Sequence, residues 1–91
     1  MPPSLLDRAW ELAPQVSVRP EPFGALLYHF GTRRLSFLKD RRLLAVVQGL
    51  GEASTARDAC AAAGVEGAEL TAYERALARL AATDMVRERA R

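Results

Sequence analysis

Of the 91 residues only one is cysteine, Cys60, and only one is histidine, His29. A lone thiol excludes an internal disulfide, a thiolate zinc site and a cysteine-held iron–sulfur cluster. A lone imidazole, with no serine or cysteine nucleophile tied to it by spacing, gives no catalytic pair. No glycine-rich phosphate loop and no His/Cys/Asp ligand spacing occurs, so no metal, cofactor or catalytic residue is expected. No apolar run approaches the roughly 18 residues of a membrane span, and Met1-Pro2-Pro3-Ser4 lacks the basic-then-apolar order of a signal peptide. The expectation is a cytoplasmic protein with no membrane partner. What is present is a globular composition, 49% hydrophobic and 26% charged, in a length that suits one domain with little volume for a deep active site.

Lysine is nearly absent: Lys39 stands against twelve arginines. The net charge is only +2, but it is unevenly spread. Within residues 31–48, Arg33, Arg34, Lys39, Arg41 and Arg42 against Asp40 sum to +4. Such a local field is either a solvated rim or the footprint of an acidic partner.

Residues 5–13 place Leu5, Leu6, Ala9, Trp10 and Ala13 at helical spacing and predict a short N-terminal helix or turn docked through Trp10, ended by Pro14. Val16 to Arg19 alternates with period two, and Pro20-Glu21-Pro22 enforces extension or a bend before Gly24. A second strand from Ala25 to Phe30 and a third from Arg33 to Leu38 follow, joined by Gly31-Thr32 as a two-residue loop with positive φ at Gly31. Asp40 is the expected N-cap of a helix with Leu43, Leu44, Val47 and Leu50 inward. Ser54 or Thr55 caps a second helix that ends at Gly64, and a third covers residues 68–82. Met85 and Val86 close the core, and residues 87–91 read as a frayed tail. Three antiparallel strands and then three helices make an α+β fold. The chain divides into an N-terminal segment (1–14), a sheet (15–39), a helical part (40–86) and a tail (87–91) of a single domain.

The two-residue loop pairs Tyr28 with Leu35 and Leu26 with Phe37, and directly opposed residues share a face. Leu26, Tyr28, Phe30, Leu35 and Phe37 then form the expected core face. Ala25, Leu27, His29, Arg34, Ser36 and Leu38 form the face toward solvent or a partner. The same loop directs the amides of Arg34, Ser36 and Leu38 outward from the third strand.

Neither His29, on a strand, nor Cys60, on an inward alanine-rich stripe, sits in a setting that activates it. Residues 59–73 follow the apolar spacing of a helix-turn-helix, so a winged-helix DNA-binding regulator is the alternative function. Glu66, Glu69 and Glu74 would then face phosphate, which disfavours it, and nucleic acid is not the expected partner. The third strand lies at a sheet edge with no proline or bulge to block it. An open edge beside a helix suits strand addition by an extended peptide, and nearby arginines favour an acidic one. Cover by the N-terminal segment, or a homodimer formed through the edge strand, would also satisfy it.

The stretch from Arg19 through Pro20-Glu21-Pro22-Phe23-Gly24-Ala25-Leu26-Leu27-Tyr28-His29-Phe30-Gly31-Thr32-Arg33-Arg34-Leu35-Ser36-Phe37-Leu38 resembles the MftB family of mycofactocin biosynthesis chaperones, relatives of the PqqD-like peptide chaperones. Leu43-Leu44-Ala45-Val46-Val47 and Ala61-Ala62-Ala63-Gly64-Val65 are compatible with it. The resemblance implies a RiPP recognition element with a winged-helix-like fold, noncatalytic, that binds the acidic leader of the mycofactocin precursor peptide. It further implies presentation of that peptide to a radical SAM maturase, which holds the cluster this chain cannot hold. By element, the leader would add to Arg33, Arg34, Leu35, Ser36, Phe37 and Leu38 and pack toward Tyr73, Arg75 and Arg79. By its spacing Tyr73 is more often a core residue, and plain solvation is the other reading of the two arginines.

Overall fold

The computed structural model describes residues 4–89; residues 1–3 of the N-terminal segment and 90–91 of the tail lie outside them. Strands β1 (Trp10–Leu12), β2 (Val16–Glu21), β3 (Gly24–His29) and β4 (Arg34–Leu38) come first. Helices α1 (Arg41–Gly49), α2 (Ala56–Ala62) and α3 (Glu69–Ala82) follow, and β5 (Val86–Glu88) comes last. The central feature is the expected one, a three-stranded antiparallel sheet in the order β2-β3-β4 followed by three helices. Its likeness to a winged helix is loose.

The helix ends follow the sequence. The Asp40 side chain accepts from the Arg42 N–H at 2.7 Å, and Thr55 accepts from Asp58 N–H at 3.2 Å. Gly64 adopts φ 82°, with bonds from Gly64 N–H to Ala61 O and from Val65 N–H to Cys60 O that close α2 in a Schellman arrangement.

Both chain ends differ from expectation. Residues 5–7 form a single 3-10 turn, and residues 10–12 are a strand instead of helix. The expected frayed tail supplies β5, which pairs antiparallel with β1 so that Trp10 faces Glu88 and Leu12 faces Val86. Arg87 Nε meets Glu11 at 2.7 Å, and Arg8 pairs with Glu88 across the same clasp. Arg89 donates to the carbonyls of Gly51, Ala53 and Ser54 in the α1–α2 loop. Short segments have too few residues for periodicity to reveal pairing between residues so far apart.

The expected register is present and the expected faces are inverted. Tyr28 pairs with Leu35 and Leu26 with Phe37. Yet Ala25, Leu27, Leu38 and His29 are buried, while Leu35 and Phe37 are 56% and 61% exposed and Phe30 is exposed too. The inner face packs with Val46 and Val47 of α1, and with Leu50 just beyond it, in one core that also holds Leu77, Met85 and Val86. Small and medium side chains on this face allow close approach of the helix. β2 carries the deciding signal: Val16 pairs with His29 and Val18 with Leu27, so the valines lie inward, whereas Ser17 and Arg19 lie outward with Tyr28 and Leu26.

The hairpin loop is also longer than expected. Four residues, 30–33, separate His29 from Arg34, and the positive φ falls on Arg33 (63°), not Gly31. Arg33 N–H donates to His29 O at 2.7 Å. Buried His29 accepts through Nδ1 from the N–H groups of Gly31 and Thr32, each at 3.0 Å, so it organises the loop from inside and is not a surface residue.

This loop reverses the amide directions. Phe30 N–H donates to Gln15 O on the β2 side at 2.9 Å. Amide direction alternates along a strand, so His29, Leu27 and Ala25 turn theirs toward β4. Their partners Ser36 and Leu38 return those bonds, and Arg34 N–H is held by Thr32 Oγ1 at 3.3 Å. The amides and carbonyls that point away from β3 are therefore those of Leu35 and Phe37, not of Arg34, Ser36 and Leu38. On the opposite edge, Pro20 pairs with Ala25 at a position where its nitrogen faces outward, so its missing N–H costs the sheet nothing and interrupts that edge.

Asp40 has a second role. The Tyr73 hydroxyl, on α3, donates to the carboxylate that caps α1, tying the two helices together. That bond, opposed by partial burial and aided by Arg42, holds the Asp40 carboxyl below its ordinary value of 3.8. Burial first, and then Asp40, push the Tyr73 phenol up to about 12. Arg42 lies 5.7 Å from the Tyr73 ring centroid and pairs with Glu69 at the start of α3.

Three outcomes are expected. Leu27→Ala should cost about 2–5 kcal/mol in urea denaturation and Phe37→Ala under about 1 kcal/mol, the reverse order placing the core on the other face. Ser36→Pro removes a ladder donor and should strongly lower the melting temperature, whereas Leu35→Pro should melt within a few degrees of Leu35→Ala. The stability difference between the natural protein and Tyr73→Phe should be flat from about pH 5 to 9. It should shrink as pH falls through the depressed Asp40 value, because the folded state's stronger hold on the charged form is then lost. It should shrink again as pH rises from 10.0 toward about 12, where only the unfolded phenol has ionised. A difference that does not change at either limb would exclude the carboxylate–phenol bond.

Candidate functional site: the groove between the sheet edge and the third helix

β4 has a neighbour on one side only, since the sheet ends there. Among the described residues the N-terminal segment does not cover this edge; its strand is spent on β5. Beside the edge runs α3, and between them lies a groove of about 650 Å³. One wall is Leu35 to Lys39, and the other is Ala76, Arg79, Leu80, Ala82 and Thr83, with Leu43 between.

The helix wall follows from spacing. Ala76, Arg79, Leu80 and Thr83 recur at three and four residues and share one side of α3. Leu77 and Leu80 anchor the helix in the core, which leaves small Ala76 and the stem of Arg79 to face the groove. The strand wall offers the unpaired backbone groups of Leu35 and Phe37. The groove's lining contains two cations, Lys39 and Arg79, and no carboxylate. An extended acidic chain would find hydrogen-bond partners along one wall, apolar contacts along the floor, and positive charge on both sides.

Of the residues expected from sequence, Leu35, Ser36, Phe37, Leu38 and Arg79 come together here. Arg33 and Arg34 are exposed at the hairpin end. Arg75 is exposed one turn before Arg79 and is not part of the lining. Tyr73 is in the core with its hydroxyl on Asp40. Lys39, Leu43, Ala76 and Thr83 were not expected; Lys39 alone had a signal, as part of the basic stretch beyond the third strand.

Among the described residues nothing elsewhere resembles a reaction centre. Cys60 is buried, and that burial pushes its thiol up, away from the reactive thiolate. Among the described residues no group of three or more His, Cys, Asp or Glu side chains is placed to hold a metal ion. Among them, too, no helix is long and apolar enough to cross a membrane.

Comparison with known proteins converges on one family. The profile of the peptide chaperone MftB family matches residues 9–87. The chain is 59% identical over 80 residues to the peptide chaperone MftB of Mycobacterium tuberculosis (strain ATCC 25618 / H37Rv), covering 88% of this chain and 73% of that one. The chaperone of the same name from Mycobacterium ulcerans (strain Agy99) is 59% identical over the same shares, and that of Mycolicibacterium smegmatis (strain ATCC 700084 / mc(2)155) is 52% identical, with 78% of its length covered. No solved structure gives a significant match. With a family profile spanning both the sheet and the helices, and identities above one half over most of its length, the chain belongs to the peptide chaperone MftB family, a family of chaperones and not of enzymes.

Proposed function

We propose that this domain binds the acidic leader of the mycofactocin precursor peptide as an added strand on β4, and presents the rest of that peptide to a radical SAM maturase in the cytoplasm. The observation that carries this reading is the groove: an unpaired sheet edge facing a helix, with Lys39 and Arg79 in the lining and no acidic residue opposing them. The family's description as peptide chaperones supports a peptide as the occupant. Backbone pairing reads little sequence, so affinity would come from the ladder, and selectivity from the apolar floor and the charge of the walls. The domain supplies no chemistry of its own on this reading; decarboxylation and crosslinking of the terminal Val-Tyr belong to the maturase.

Calorimetric titration of the leader peptide tests it. Leu35→Pro deletes an outward N–H and should weaken binding about 5- to 150-fold relative to Leu35→Ala, the cost of about 1–3 kcal/mol for an orphaned peptide carbonyl in a partly dry groove. Equal affinities of these two variants would place the peptide elsewhere. Lys39→Glu with Arg79→Glu should weaken binding by up to about 30-fold at low salt and flatten its salt dependence, since each exposed pair contributes up to about 1 kcal/mol. The corresponding pair Arg33→Glu with Arg34→Glu, at the hairpin end, is expected to act more weakly. If it acts more strongly, the leader runs past the loop and not along α3.

A further inference from the structure

The inversion of the sheet leaves its outer face without a partner among the described residues. Phe23, Phe30, Leu35 and Phe37 are each 50–63% exposed, with Leu26 and Tyr28 half-buried between them. Their rings are already arranged: Phe23 and Phe37 lie 6.5 Å apart, and Tyr28 and Phe30 meet edge to face at 5.0 Å. Together the four exposed side chains offer on the order of 400–500 Å² of apolar surface, at the level where a patch marks an interaction site.

The rim of this face restricts what can cover it. Arg19 on β2 shares the outward row with Ser17 and Glu21, Lys39 continues that of Leu35 and Phe37, and Arg33 and Arg34 stand at the hairpin end. Glu21, the acid of this face, is held by Arg19 at 3.1 Å. Two copies stacked face to face would bring Arg33, Arg34 and Lys39 together, and among the described residues the carboxylate of this face, Glu21, is already paired with Arg19. A surface with an apolar centre ringed by carboxylates would be complementary. The face is also continuous with the groove, because a strand added to β4 would place alternate side chains in the same plane as Leu35 and Phe37.

We propose that the outer face of the sheet is the docking surface for the folded protein that receives the peptide, and that this partner presents an apolar patch rimmed by Asp and Glu. The proposal rests on the delivery reading above, which makes that partner the radical SAM maturase. Loading and docking would then use adjoining surfaces of one sheet, the edge for the peptide and the face for the enzyme.

The test titrates purified maturase into the leader-loaded domain, comparing the natural chain with the double substitution Phe23→Ser, Phe30→Ser. Both residues lie outside the groove lining, so leader affinity should stay within about twofold while the dissociation constant for the maturase rises at least tenfold. Arg19→Glu, on a side chain 76% exposed, gives a second variant that does not touch the aromatic surface and should weaken docking at low salt. Maturase affinity unchanged in both variants would overturn the proposal and leave delivery standing. Failure of the natural chain to bind maturase at all would overturn delivery and the proposal with it. A concentration-dependent dimer in sedimentation that the phenylalanine substitutions abolish would overturn it in favour of a second copy.

Discussion

The two alternations of β3, one of side chains and one of amides, govern the rest of the molecule. Its odd residues Ala25, Leu27 and His29 send their side chains to the core and their amides to β4, while its even residues send theirs to the opposite face and to β2. Side-chain alternation decides where α1 packs and which aromatics remain in solvent. Amide alternation decides which backbone groups of β4 are left over. The loop at 30–33 fixes both, because Arg33 in the left-handed region and the His29 imidazole beneath the turn add two residues to the tight hairpin. At the other end, Gly24 (φ 153°) holds the register: a Cβ there would meet the Leu38 carbonyl oxygen at 2.0 Å.

Adding two residues to the loop leaves cross-strand pairing unchanged and exchanges bonded for non-bonded pairs. For that reason the strand partners were legible in the sequence while the outward amides were not. The choice of face failed for another reason. Both rows of the hairpin are apolar, and counting bulk favours the row with Tyr28, Leu35 and Phe37 over the row with Ala25, Leu27 and Leu38. Bulk is a poor guide where a helix must approach closely. The alternation of Val16 and Val18 with Ser17 and Arg19 carried the correct answer, since the pairing of β2 with β3 ties the valines to Leu27. The helices were easier to read because their caps are chemical, as at Asp40, Thr55 and Gly64.

The groove divides the same way. Its strand wall was legible as an unprotected edge, and Arg79 as a base late in α3. Which side of α3 faces β4 depends on how Leu77 and Leu80 seat in the core, and that is a tertiary property. Hence Tyr73, at a spacing that suited either role, turned out to lock Asp40, and Ala76 and Thr83 came unannounced. Recognition by backbone pairing, as proposed above, has little need of a fixed side-chain motif at the site, so on that reading the long stretch from Arg19 to Leu38 speaks for the scaffold more than for the contacts.

The pairing of β1 with β5 carries a consequence for how the chain reaches this state. Glu11 and Arg87, joined across it, are 76 residues apart, and closing a loop of that length costs about 2–3 kcal/mol more in chain entropy than closing the four-residue hairpin. The sheet of β2, β3 and β4 is local and can assemble early; the clasp must wait until α3 has brought Met85 and Val86 into the core. Trp10, the one tryptophan of the chain, is buried by that last event at 7% exposure, its indole N–H on Leu5 O at 2.9 Å. Its fluorescence should therefore follow the closing of this clasp, and not the earlier formation of the sheet edge on which a peptide would lie.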